Sequence, residues 1–305
     1  MKYYNTLSDY WKKIFNTRVQ KIPLDAGFDC PNRDGTLSRN GCIFCNPSGS
    51  GTGLYAGGMG LKEQYLYLRD KYLARHKNLV FAAYLQSYSN TYGPKSQLEL
   101  TLQQLEFLPG VEVLCVGTRP DCLDREKISI LAEFPAREIW LELGLQSCSR
   151  DTLKLINRGH TPLDFEYACG LAREQGLKVC AHIIAGLPGE NLQIFLNTID
   201  FVNRLPVQGI KLHNLYVCKN TPLARWWMQG HYTPLGREEY VQWAVAALTS
   251  LRPDIVIHRI TGDPAVNELL APAWSKNKSA TINDIQETMH IKNLSQGMNF
   301  NTIDP

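Results

Sequence analysis

The sequence predicts an α/β fold built on a parallel sheet, and three observations predict it. Near-continuous apolar runs such as LVFAAYLQ (79–86), VEVLCVGT (111–118) and LKVCAHIIAG (177–186) read as strands buried on both faces. Stretches of helical period separate these runs. The alternation is sustained from residue 19 to residue 260, which is the mark of α/β architecture. Periodicity alone does not separate a barrel from an open doubly wound sheet.

Residues 1–17 read as a short amphipathic helix, with Tyr10, Trp11 and Ile14 on one side and Lys12 and Lys13 on the other. VQKIPL (19–24) is the first strand. The cysteine-bearing stretch after it is a loop, because Pro31, Asn32, Asp34, Gly35, Asn40 and Gly41 break regular structure. SGSGTG (48–53) and AGGMG (56–60) are either a flexible connection or backbone that approaches something closely. Helices at about 61–76, 95–107, 124–133, 150–157, 162–175, 190–204 and 236–251 then alternate with strands at 79–86, 111–118, 138–145, 177–186, 209–217 and 254–260. A terminal helix at about 282–293 is expected to fold back over one end of the sheet. No repeat or linker interrupts the pattern, so one domain is expected, with a core of about 18–260 and a C-terminal extension of about 261–305.

Composition narrows the class. With 44% hydrophobic and 20% charged residues, 305 residues support a sizeable core and exclude wholesale disorder. A net charge of +3 permits an anionic partner without demanding one. The apolar runs fall short of the ~20 residues of a membrane helix, and the N-terminus has no apolar signal core. A cytoplasmic protein with no membrane partner is expected. Its nine cysteines would stay reduced there, which points to metal ligation for any clustered subset.

One subset is clustered: eleven residues separate Cys30 from Cys42, and two separate Cys42 from Cys45. Thiolates suit iron–sulfur clusters, zinc or copper. Zinc needs a fourth Cys or His at short spacing, and the closest histidine is His76. A thioredoxin-like reading of CIFC requires a helix, but Asn46 and Pro47 follow it. Three thiolates on a loop after the first strand fit an open-site cluster best, with a zinc knuckle as the alternative. Cys115, Cys122, Cys148, Cys169, Cys180 and Cys218 read as core packing.

A cysteine triad ending in CxxC, with Phe44 before the last cysteine and a first strand before the loop, resembles the radical S-adenosylmethionine (SAM) superfamily. GTRPD (117–121), ELGLQS (142–147), NRGH (157–160) and HIIAGLPGE (182–190) resemble the Elongator catalytic subunit and the oxygen-independent coproporphyrinogen oxidases. With QSYSNTYG (86–93) and HRITGD (258–263), the set is most similar to bacterial proteins close to the Elongator subunit. The long first cysteine spacing departs from most of the superfamily but occurs in that branch.

The resemblance implies a partial (β/α)6 TIM-like barrel with its site at the C-terminal strand ends. It implies a four-iron, four-sulfur (4Fe-4S) cluster on Cys30, Cys42 and Cys45, with SAM on the fourth iron. SAM is then cleaved to a 5′-deoxyadenosyl radical, with electrons from a donor such as flavodoxin or ferredoxin. Gln146 and Arg158 match SAM-contacting positions, the arginine pairing with the methionine carboxylate. His182 stands where the coproporphyrinogen oxidase branch has a ribose-binding aspartate. Gln86 falls where many members carry a Gly-Gly-Glu, Gly186 lies near adenine, and Thr118 of GTRPD completes the set. Glu142 should point from its strand into the barrel, where a carboxylate needs a ribose or substrate contact.

For the substrate, Lys12, Lys13, Arg18, Lys21, Arg33 and Arg39 place positive charge near the cysteine loop, and Tyr3, Tyr4, Tyr10 and Trp11 add aromatics. That mixture suits RNA as well as an ordinary solvated surface. Trp226, Trp227, Trp274, Lys276 and Lys278 are candidates for the barrel rim. The resemblance implies tRNA as partner, modified at the C5 side chain of the wobble uridine. Radical chemistry on a tetrapyrrole or other small molecule, and a non-catalytic iron–sulfur or zinc interaction module, are the alternatives.

Overall fold

The chain begins with α1 (Leu7–Phe15), β1 (Arg18–Leu24), α2 (Leu61–Leu73), β2 (Leu79–Leu85), α3 (Lys95–Glu106) and β3 (Val111–Thr118). It continues with α4 (Arg125–Ala132), β4 (Glu138–Gln146), α5 (Arg150–Leu155), α6 (Pro162–Glu174), β5 (Lys178–Ala185), α7 (Leu192–Asn203) and β6 (Gly209–Asn214). It closes with β7 (Val217–Cys218), α8 (Pro222–Met228), α9 (Arg237–Ser250), β8 (Val256–Arg259), β9 (Leu269–Ala271) and α10 (Lys278–Ile291). This is a computed structural model that describes residues 3–46, 53–264 and 267–300. Most of SGSGTG therefore lies outside the described residues. Many helices start where a short polar side chain accepts an otherwise orphaned backbone N–H: Thr6 from Asp9, Asp124 from Lys127, Ser149 from Thr152, Thr161 from Asp164 and Asn191 from Ile194.

Seven strands form one all-parallel sheet in the order β1-β2-β3-β4-β5-β6-β8. In a flat sheet β1 and β8 would lie roughly 29 Å apart. Yet Lys21 of β1 and His258 of β8 both reach the carboxylate of Glu142 on the central strand, at 2.5 and 3.7 Å. The sheet is therefore curled into a half-barrel, as expected of a partial TIM-like barrel. Along β4, Leu141, Leu143 and Leu145 face the helices and pack in the main core with Phe165 and Phe195. Trp140 faces the interior and packs with Cys115, Cys180 and Val256 from other strands.

Helix α1 closes the N-terminal end of this barrel. It packs on both β1 and β8, and Trp11 is buried in the interior cluster. Trp11 Nε1 and Trp140 Nε1 each donate to Glu138 at 3.0 Å, and Tyr10 Oη donates to it at 2.7 Å. Lys178 completes the pairing. The expected basic and aromatic patch beside the cysteine loop is thus corrected. Tyr10, Trp11, Lys12 and Lys13 belong to the opposite end of the barrel from that loop, and Lys21 lies inside it. Arg33 and Arg39 are the members of that set carried on the loop itself.

Two further expectations differ. The strand expected over 209–217 ends at Asn214, and residues 217–218 pair antiparallel with β9 instead. Helix α8 was not anticipated, although Thr221-Pro222 signals its start: Thr221 caps the helix and Pro222 needs no N–H partner at its first position. Among the described residues no helix is long and apolar enough to cross a membrane.

Candidate active site

The cysteine loop leaves β1 at the C-terminal end of the barrel and folds back on itself. Leu37 N donates to Pro31 O at 2.7 Å, and Gly41 N to Asn32 O at 2.8 Å. The eleven-residue spacer therefore returns Cys42 to the side of Asn32, whose Nδ2 lies 3.5 Å from Cys42 Sγ. A turn then sets Cys45 N on Cys42 O at 3.0 Å. Cys30 and Cys42 are buried, whereas Cys45 is exposed. The three thiols are electrostatic neighbours, since charge on Cys42 and Cys30 raises the Cys45 thiol.

The NRGH motif clamps this loop. Asn157, at φ 52°, donates to Gly41 O at 2.6 Å and to Ser38 Oγ at 3.1 Å. Arg158 donates to Gly144 O at 2.8 Å and approaches Cys42 Sγ at 3.5 Å, while its Nε lies 2.9 Å from His160 Nε2. Arg119 of GTRPD holds Asp121 with a bidentate pair at 2.9 and 2.7 Å and donates to Arg158 O at 2.7 Å. Burial and these two guanidiniums push His160 down to about 3, so it stays neutral. A hydrogen bond from Cys45, then the charges of Arg158 and Arg119, hold the Cys42 thiol well below its usual range. Donating that bond, with the charge of Cys42 beside it, raises Cys45 well above it.

Above the interior plug, the barrel opens into a cavity of about 770 Å³, within the size range of small-molecule sites. Its walls include Cys45 and Phe44 from the loop, Gln86 and Gln146 from strand ends, and Tyr84, His182, Lys211, His213, Tyr216 and Arg259. Gln146 sits at a bulge in the β4–β5 register with φ 71°, a left-handed backbone that aims it off the strand line. On the loop after β2, Ser87 Oγ and Asn90 Oδ1 are buried with no partner among the described residues.

Glu142 lies below this cavity. Its side chain is fully buried, with Lys21 at 2.5 Å, Lys211 in contact and His182 Nε2 at 3.2 Å. Burial works against its charge, but Lys21 and Lys211 hold it well below the usual carboxylate range. Burial drops Lys211 to about 8 despite Glu142, and drops His182 to about 4 and His258 to about 3.

Of the expected SAM contacts, Gln86, Gln146 and His182 reach the cavity, and four others do not line it. Both carboxylate oxygens of Glu142 are taken by lysines and His182, so it holds cations rather than a ribose. The fork of Arg158 is spent on Gly144, His160 and Cys42, which leaves it a brace of the cysteine loop. Thr118 is buried with its hydroxyl 2.7 Å from Thr91 Oγ1. Gly186 turns at φ 82° with Leu235 where a Cβ would sit, and its carbonyl accepts from Tyr232 Oη at 2.8 Å. Trp226 and Trp227 pack against the same buried cluster as Phe44, but Trp274 stacks on Tyr240 in the main core. Residues not anticipated are Asn32, Asn157 and Arg119 at the loop, and Lys211, His213 and Arg259 in the cavity. A lysine and a histidine two apart in the apolar strand GIKLHN are the signal that marks Lys211 and His213.

Fold and loop together define a class: an α/β half-barrel with a thiol-bearing loop and a cavity at the C-terminal strand ends. A model of the Radical SAM superfamily matches residues 36–202, and one of the Radical_SAM C-terminal domain matches residues 207–290. The uncharacterized protein YtqA of Bacillus subtilis (strain 168) is 35% identical over 306 residues, covering 99% of this chain and 94% of its own. The tRNA uridine(34) acetyltransferase of Dehalococcoides mccartyi (strain CBDB1) is 36% identical over 158 residues, covering 50% of this chain and 34% of that one. The solved structure of Methanocaldococcus infernus Elp3 shares the fold with a TM-score of 0.70 at 19% identity, covering 91% of this chain and 64% of that one. The chain belongs to the radical SAM superfamily.

Proposed function

We propose that this radical SAM enzyme modifies tRNA at the C5 side chain of the wobble uridine, holding a 4Fe-4S cluster on Cys30, Cys42 and Cys45. The observation that carries the cluster assignment is that Cys45 opens on the same cavity as Gln86, Gln146 and His182. The donor set suits the group. Three thiols come from one loop, and one of them, Cys42, meets N–H donors from Asn32 and Arg158, which disperse thiolate charge as hydrogen bonds to cluster ligands do. Among the described residues no three His, Cys, Asp or Glu side chains form a single-ion site; thiolates on three different irons need not converge on one point. When bound, the cluster and SAM supply a one-electron cleavage of the sulfonium to a 5′-deoxyadenosyl radical that takes hydrogen from carbon.

The protein's own residues do the positioning. Gln86, Gln146 and His182 offer hydrogen-bonding groups to SAM on the cavity wall. Phe44 and Tyr216 offer faces on which a splayed base stacks. The interior plug of Trp11, Trp140 and Glu138 seals the far end against water. The tRNA assignment is supported by the relative that acts as a tRNA uridine(34) acetyltransferase and by the Elp3-like fold. A reductant such as flavodoxin or ferredoxin is the expected partner. Nucleoside mass spectrometry of tRNA from cells with and without the gene is the test. A changed wobble-uridine derivative is expected, and an unchanged profile overturns the tRNA reading. Anaerobic reconstitution that yields no 5′-deoxyadenosine overturns the chemistry.

A further inference from the structure

The cavity floor carries three cations against one carboxylate. Lys21 and Lys211 share Glu142, and Arg259 has no hydrogen bond or ion pair among the described residues. The cavity's other carboxylates engage other groups: Asp263 pairs with Lys278 at 3.3 Å, and Glu268 accepts from Asn46 of the cysteine loop. Arg259 reaches the cavity through a register shift. A bulge in the β6–β8 pairing sets it opposite Lys211, and consecutive residues His258 and Arg259 both line the cavity. In a regular strand they would face opposite sides, so the bulge re-aims a guanidinium inward. Beside them His213 Nε2 is buried with no partner among the described residues. Tyr84 Oη accepts from Lys211 at 3.0 Å and its ring lies under the ammonium, which fixes that lysine in place.

An unbalanced cation cluster at the base of a partly closed cavity is costly unless an anion joins it. We propose that the floor formed by Arg259, Lys211 and His213 binds an anionic group of the substrate, a carboxylate or a phosphate. This rests on reading the cavity as the substrate chamber, and it adds that the substrate enters with an oxyanion leading. Arg259 supplies the fork that matches such an oxyanion, Lys211 the point charge, and His213 the remaining hydrogen bond.

The first arm of the test needs neither cluster nor tRNA, so its outcome is independent of the proposed reaction. Binding of ¹³C-acetate and of inorganic phosphate to the apo-protein is followed by ligand-observed NMR. Saturable binding of at least one probe is expected, and the tighter probe identifies the group. Arg259→Gln should weaken it at least tenfold, and Lys211→Met should do likewise, whereas Lys95→Gln on the outer helix should leave it unchanged. Because Arg259 has no hydrogen-bond or ion-pair partner among the described residues, its variant should melt as the parent does, which keeps the test open if Lys211→Met misfolds. Binding that Arg259→Gln does not weaken overturns the proposal. So does one-for-one displacement of the probe by SAM in the cluster-reconstituted protein, which would assign the floor to the cofactor's own carboxylate.

Discussion

Arg158 Nη1 stands 3.5 Å from Cys42 Sγ while Nη2 of the same guanidinium donates to the Gly144 carbonyl at 2.8 Å. One side chain thus ties the cysteine loop to the end of β4, through a motif more than a hundred residues from the loop. Four expectations follow from this and related contacts.

Removing the brace should cost cluster binding before it costs the fold. Arg158→Met should lower iron retention roughly 10–100-fold, the range for groups that orient metal ligands. What cluster remains should have a more negative midpoint potential, because a charge-dispersing N–H is gone. Iron assay and a redox titration read both, and parental iron content with an unmoved potential would refute the role.

Gly144 should be irreplaceable for the same reason. An added Cβ would lie 2.4 Å from Arg158 Nη2 and 2.7 Å from Gln146 Nε2. Gly144→Ala should reproduce the iron loss of Arg158→Met, and the double variant should be little worse than either, as coupled sites are. Additive losses would show that the two residues act separately.

Glu142 should matter more to stability than any surface charge. Glu142→Gln leaves Lys21 and Lys211 buried without their counter-ion and should destabilise the fold by about 3–5 kcal/mol. Adding Lys211→Met should restore part of that loss. Urea unfolding of the parent, the two single variants and the double variant measures the coupling, and no recovery in the double variant would contradict the pairing.

Glu190 should make stability fall as pH rises. Its Oε1 accepts from Ser147 Oγ at 2.5 Å, Oε2 has no partner among the described residues, and burial pushes its carboxyl up to about 7. The folded pKa lies above the unfolded one, so the folded state holds the extra proton between about 4.5 and about 7. Stability from this group is therefore present in acid and lost through that window. Glu190→Gln should gain about 1–2 kcal/mol over the parent at pH 8, allowing for its partial exposure, and almost nothing at pH 4. A gain equal at both pH values would rule this out.

How much was legible in the residues varies by position. The strand ends β1 to β5 fell close to where apolar runs predicted them, because double-sided burial leaves a continuous signature. Helix α8 was missed because seven residues are too few for a period to show. Lys12, Lys13 and Lys21 suggest one patch with the loop because they are near it in sequence. A strand of seven residues carries the chain roughly 23 Å, so neighbours in sequence end on opposite faces of the barrel. The expectation of a SAM contact at Arg158 rests on the family resemblance of its position; its partners in the structure, Gly144, His160 and Cys42, come from three segments.

The residues by themselves determined the α/β alternation and the thiol triad with its spacing, since both are written in local order and side-chain chemistry. The curl of the sheet decided the rest. It alone brought Lys21, Glu142, Lys211 and Arg259 from four strands into one interior, and a bulge in one strand turned Arg259 to face them. Such charge pairings form across the barrel between residues up to 121 positions apart, and no local pattern encodes them.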